Sequence, residues 1–162
     1  MIPRRDQLLV IPVPSPAIGT DWSYTLPAGY VYQIISVRYF LATSATAGNR
    51  HTRLSFEYGG VSLGNFTMDT VQGPSANRSH TFAAGAASTT TTTLVFQCGI
   101  SSELWLIGGA IISSDVAALA ANDQISQVVI YCKAYLESEI TPAPSPTPLP
   151  TPVPSPTPTP SP

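Results

Sequence analysis

From Gln7 to Leu136 apolar and polar residues mostly alternate, and no stretch sustains the 3.6-residue period of a helix. RHTRLSFEY sets Leu54, Phe56 and Tyr58 on one side and His51, Arg53, Ser55 and Glu57 on the other; this predicts a half-buried antiparallel strand. YVYQIISVRYFLATS carries Val31, Ile35, Val37, Tyr39 and Leu41 on one side and Tyr32, Ile34 and Phe40 on the other, the pattern of a central strand covered twice. Further strands are predicted at Gln7–Val13, Asp21–Leu26, Val61–Val71, Arg78–Phe82, Thr91–Cys98, Glu103–Ile107, Ala110–Ile112 and Gln124–Leu136. Gly59-Gly60 in YGGV is a two-residue hairpin signal, and LPAG places proline and glycine at a bend. SSDVAALAAND predicts one short helix, with Ser114 as its cap and Asp115 in its first turn. The run from Ser88 to Thr93, β-branched yet polar, reads as an edge strand.

Eight to ten short strands with at most one helix predict an all-β chain, a single β-sandwich of jelly-roll-like form. Residues 1–18 read as an N-terminal arm and first strand, 19–138 as the sandwich domain and 139–162 as an extended proline-rich tail. Every second residue from Pro142 to Pro162 is proline. Each proline removes a backbone donor and fixes φ, and each residue before one is kept out of the α region, so helix and sheet are both excluded there. The tail has no charge and, besides Leu149 and Val153, little to bury, so it predicts an extended strap in polyproline II form.

Charge changes the picture next. Only 10% of the chain is charged and the net charge is −2, against about a quarter charged in ordinary soluble domains. A surface so thinly charged is poorly protected against association, and the expectation is that partners cover a good part of it. Lys133 is the single lysine, which argues against nucleic acid. The basic start and short apolar run of MIPRRDQLLVIPVPSP are broken by Pro12, Pro14 and Pro16, and no stretch is long enough to span a bilayer. The reading is a chain made and kept in the cytosol until assembly, with no membrane partner.

Candidate chemistry is sparse. Cys98 and Cys132 fall on the apolar sides of two predicted strands and read as buried thiols. No catalytic signature, metal-ligand spacing or cofactor motif occurs, so no enzymatic activity, metal or cofactor is expected. His51, beside Arg53 on the polar side of its strand, reads as solvated or interfacial, and His80 is read the same way. NFT at Asn65 and NRS at Asn77 match the glycosylation sequon by chance. Trp22, Tyr24, Tyr30, Tyr32 and Trp105 are aromatics that a sugar-binding groove would use; Trp105, between Leu104 and Leu106, is assigned to the core, and Trp22 to a partly exposed position.

DWSYTLPAGYVYQIISVRYFLATSATAGNR joins a tryptophan, a proline-glycine turn and a long β segment ending in Thr-Ser-Ala-Thr before Asn-Arg. Over Trp22 to Arg50 the chain resembles small accessory structural proteins of tailed bacteriophages. The resemblance implies a virion β-sandwich, structural or adhesive and without chemistry. Two functions then compete: a capsid decoration or cement protein, and a fibre or tail adhesin that binds a host-surface glycan with the proline segment as stalk. The first is preferred, as a homo-oligomer (trimer favoured) held on the major capsid protein or other virion proteins. Arg4, Arg5, Trp22, His51, Arg53, Leu149 and Val153 are the expected partner contacts.

Overall fold

The computed structural model describes residues 8–87, 89–92 and 95–140, those at 89–92, 139 and 140 by backbone alone. It places eleven strands among them: β1 (Leu8–Val13), β2 (Ser23–Thr25), β3 (Tyr30–Ala42), β4 (His51–Tyr58), β5 (Val61–Thr67), β6 (Asn77–Ala84), β7 (Thr89–Thr92), β8 (Val95–Ile100), β9 (Trp105–Ile107), β10 (Ile111–Ala117) and β11 (Gln124–Leu136), followed by one helical turn, α1 (Glu137–Ile140). The arm residues before Leu8 and the proline-rich tail from Thr141 lie outside the described residues.

The strands form two sheets, as a β-sandwich requires. One has the order β1-β11-β3-β6-β8-β7, with β9 also on β3; the other has the order β2-β10-β4-β5. The antiparallel pairs β1–β11, β2–β10, β3–β6 and β4–β5 nest inside one another along the sequence. The chain thus pairs as one long hairpin with β4–β5 at its tip, and the β11–β3 and β10–β4 pairs arise where that hairpin wraps upon itself. Strands β7, β8 and β9 interrupt the nesting. β8 runs parallel to β6, and β9 and β6 divide one edge of β3 between residues 31–33 and 36–42. Pro12 sits in β1, an edge strand, where a missing donor is tolerated.

The tip of the hairpin is made by Gly59 and Gly60, both at positive φ (58° and 79°), the conformation that a two-residue turn joining twisted strands demands. Gly108 serves close approach instead: a Cβ there would stand 2.5 Å from the Pro27 carbonyl oxygen and 2.6 Å from Ala28 Cα.

The core between the sheets is built from the inward positions of β3, β4, β6, β8, β10 and β11, among them Ile34, Val37, Tyr39, Leu41, Leu54, Phe82, Ile112 and Ile130, all fully buried. The side assignment in β3 needs correction. Tyr32 and Ile34 point inward with Val37, Tyr39 and Leu41, because a bulge opposite Tyr131 and Cys132 inserts Ile35 and reverses the phase of the strand. The predicted helix at residues 113–123 is also overturned. Ser113 to Ala117 continue β10, with Ile112, Ser114 and Val116 alternating inward against β4. Ser114 caps nothing: its hydroxyl donates to Asp21 Oδ1 at 2.6 Å and accepts from the Trp22 amide at 3.2 Å. A short helix with a costly nucleus yields to a strand that pairs on both sides.

Candidate functional site

Two features stand out from the scaffold: a buried polar network at one end, and a contrast between the two outer faces.

The network ties together the loops that follow β1, β3, β5 and β10. Arg50 and Asp123 form a wholly buried ion pair, Nε to Oδ2 at 2.8 Å and Nη2 to Oδ1 at 3.1 Å. The guanidinium also donates to the Thr46 and Gly48 carbonyls. Asp123 accepts from the Ser44 amide and hydroxyl and from the Ala120 amide, while its carbonyl receives the Gly19 amide. Burial by itself would raise this carboxyl, but Arg50 and the Ala120 and Ser44 donors outweigh it and bring the pKa down to about 2.

One layer inward, His80 stacks on Tyr39 and meets Phe96 edge-on, with both ring centroids 5.3 Å away. Its Nε2 lies 2.8 Å from Gln72 Oε1 and its Nδ1 3.0 Å from Thr52 Oγ1. The Gln72 amide nitrogen donates to the Leu41 and Ala76 carbonyls, so Oε1 is the accepting end, His80 carries its proton on Nε2, and Thr52 donates to Nδ1. Desolvation, helped by the charge of Arg78, lowers the His80 pKa to about 3. His80 is therefore a neutral core residue, not the solvated one expected from its sequence. Its polar neighbours Ser79 and Arg78 concealed an inward position that only the pairing with β3 defines. Nothing local in the sequence marked Arg50 and Asp123 either, which are 73 residues apart and meet through loop geometry.

The outer face of the β2-β10-β4-β5 sheet is polar. His51, Arg53, Ser55 and Glu57 of β4 point outward as expected, with Asp115 of β10 and Asn65 and Thr67 of β5 beside them. The structure thus brings His51 and Arg53 onto one surface. Arg53 reaches Asp115 at 3.4 Å, both half-exposed, an ion pair worth at most about 1 kcal/mol. Apolar exposure on this sheet gathers at the hairpin tip, at Tyr58, Val61 and Leu63.

The outer face of the other sheet is different. Its rows run Tyr135–Val31–Ile107, then Leu8–Lys133–Gln33–Trp105, then Val10–Tyr131–Ser36–Ala83, then Pro12–Val129–Arg38–Thr81. Leu8 is 52% exposed, Val10 50%, Trp105 42% and Ile107 42%. The Trp105 ring lies 5.4 Å from that of Tyr135, tilted by 45°. Two expectations are reversed here. Trp105 is a surface residue, because Leu106 takes the inward position of the three-residue β9. Trp22, the supposed exposed aromatic, is 2% exposed and packs its edge against Tyr39 at 6.1 Å. An aromatic groove joining all five candidate residues is not formed, since Trp22 and Tyr32 are buried. Of the other expected contacts, Arg4, Arg5, Leu149 and Val153 lie outside the described residues.

Cys98 and Cys132 are both buried; desolvation raises the Cys132 pKa to about 11. Among the described residues no three His, Cys, Asp or Glu side chains converge as a metal would need, and no helix is long and apolar enough to cross a membrane. No family model, no curated protein and no solved structure matches the chain.

Proposed function

We propose that the chain is a jelly roll acting as a virion structural protein, a decoration or cement protein that reinforces a phage head as a homo-oligomer, a trimer by preference, seated on the major capsid protein. The observation that carries this reading is the pairing order. β1-β11-β3-β6 opposite β2-β10-β4-β5 is what a nested hairpin of eight strands leaves when it rolls into two interleaved Greek keys, an architecture used by viral capsid and lectin domains. Support also comes from the surface. A chain with 10% charge presents one polar sheet face and, on the other sheet, an exposed apolar cluster of Leu8, Val10, Trp105 and Ile107, and the second is suited to burial between proteins. In this reading the proline-rich tail laces neighbouring subunits, many weak contacts gaining from the high local concentration that follows docking of the body.

The test is a census and a stress. Purified particles should hold the protein at hundreds of copies, and particles lacking it should burst at lower temperature or milder osmotic shock. Fewer than a few tens of copies, with heads of unchanged stability, would remove the reading. An adhesin role draws on one observation, the exposed Trp105–Tyr135 pair, which has the form of a sugar-stacking platform; loss of adsorption on deleting the gene, with intact heads, would favour it.

A further inference from the structure

The apolar outer face and a segment able to cover it belong to the same chain. The rows from Val129 to Tyr135 on β11, with β1 on one flank and β3 and β9 on the other, make a strip on the order of 20 Å long and 15 Å wide by ordinary strand rise and spacing. Lys133 is its central charge, Arg38 stands in its last row and Ser36 beside Tyr131, and the rest of the strip is aromatic, aliphatic or amide. We propose that this strip is the receptor for residues 142–162 of a second copy of the chain. The proposal does not depend on a virion role, since both partners are one protein.

Chemistry selects the occupant. Eleven of the tail's twenty-one residues are prolines, which have carbonyls and no amide hydrogen. Such a segment carries a large surplus of acceptors and lacks the amide donors to pair as a strand on both sides. It is recognised by aromatic faces that pack against pyrrolidine rings and by side-chain donors that reach its carbonyls, and a polyproline II rod loses little entropy when held. The strip offers both kinds of group. Trp105 and Tyr135 supply ring faces, while Trp105 Nε1, the Tyr131 hydroxyl and the Lys133 ammonium are donors. The indole nitrogen is only loosely engaged, 3.4 Å from Glu103 Oε2. The tail has no charge to be stranded there.

Length and direction select the copy. The described chain ends at Ile140, four residues beyond the end of β11, so Pro142 follows at once. A sequence in which every second φ is fixed and every intervening residue is barred from the α region has no turn of its own, so a return to the strand just left would have to be made within residues 137–141. Extended at about 3.1 Å per residue, twenty-one residues reach roughly 65 Å, about three times the length of the strip. With prolines every two residues on a rod of three per turn, rings stand on every face, so successive registers are nearly equivalent and the contact tolerates sliding.

The experiment uses the purified full chain, with no particle present, and a synthetic peptide of residues 142–162 as competitor. Sedimentation velocity should show association that grows with concentration, that excess peptide reverses, and that Trp105→Ala or Tyr131→Ala weakens at least about tenfold. Because Trp22 is buried, the emission of Trp105 should shift to the blue as the peptide binds. Thermal melts establish that each variant is folded, and the peptide arm needs no substitution at all. A chain that stays monomeric at every concentration overturns the proposal, as does association that neither the peptide nor the two substitutions affect. A tail found on its own strip, with concentration-independent Trp105 emission in a monomer, overturns the assignment to a second copy.

Discussion

Asp123 receives or shares five contacts in a place with no solvent, and its partner Arg50 is equally buried. Removing one member of such a pair strands the other charge, which costs about 3–5 kcal/mol. Asp123→Asn should lower the urea midpoint accordingly, far more than Asp115→Asn, whose partner Arg53 is on the surface. His80 makes a second prediction. Its ordinary pKa of 6.5 falls to about 3 in the folded chain, so between those values the unfolded state takes up a proton that the native state refuses. Stability is unaffected by this group above pH 6.5 and declines as pH falls below it, by about 1.4 kcal/mol per unit, until the folded pKa is reached. Asp123, lowered from 3.8 to about 2, adds its loss only below pH 4. Urea titrations from pH 7 to 4 should show this slope, and His80→Gln should flatten it by about one proton. Cys98 and Cys132, buried within the core, should react with a thiol reagent only at the rate of global unfolding.

Single elements explain what the sequence could and could not disclose. β11 was predicted at its observed bounds, Gln124 to Leu136, and the Gly59-Gly60 hairpin in its observed place. In both, the information is local: an unbroken β-rich alternation in one, a turn that only glycine pairs satisfy in the other. Gly60→Val should cost about 1–2 kcal/mol in thermal stability, because a β-branched residue is forced to φ 79°. β3 was legible in extent and not in facing, since a bulge is set by the partner strand. The same holds for β10, whose Ser114 looked like a cap and is instead a bridge to Asp21, and for β7 and β8, which one run of threonines had merged. The surface candidates follow this division. His51 and Arg53 were placed correctly by alternation within β4, whereas Trp22 and Trp105 exchanged roles because Trp22 precedes the three-residue β2 and Trp105 opens the three-residue β9, where too few positions exist for a period to be read.

At the scale of the whole molecule, the contrast between a polar and an apolar outer face is the property that composition foreshadowed without locating. Low charge led to the expectation that some surface is shielded; the register of β1, β11, β3 and β9 locates the apolar exposure on this sheet. Substituting Val10→Lys on the apolar face should leave the melting temperature within a few degrees, since surface changes seldom exceed about 0.5 kcal/mol, and it should raise solubility. The equivalent change on the polar face, Thr67→Lys, should alter solubility little, a difference that a precipitation curve would register.

The nested pairing puts β11, the last strand described, between β1 and β3, one place in from the edge of its sheet. Emerging from a ribosome, the chain would hold its opening strand without a neighbour until that final segment arrives, so the body can close only after nearly all of it has been made. Distant pairing of this kind is slow and leaves unfinished sheet edges bare in the meantime. A stop codon anywhere in β11 should therefore yield aggregate instead of a shortened native fold.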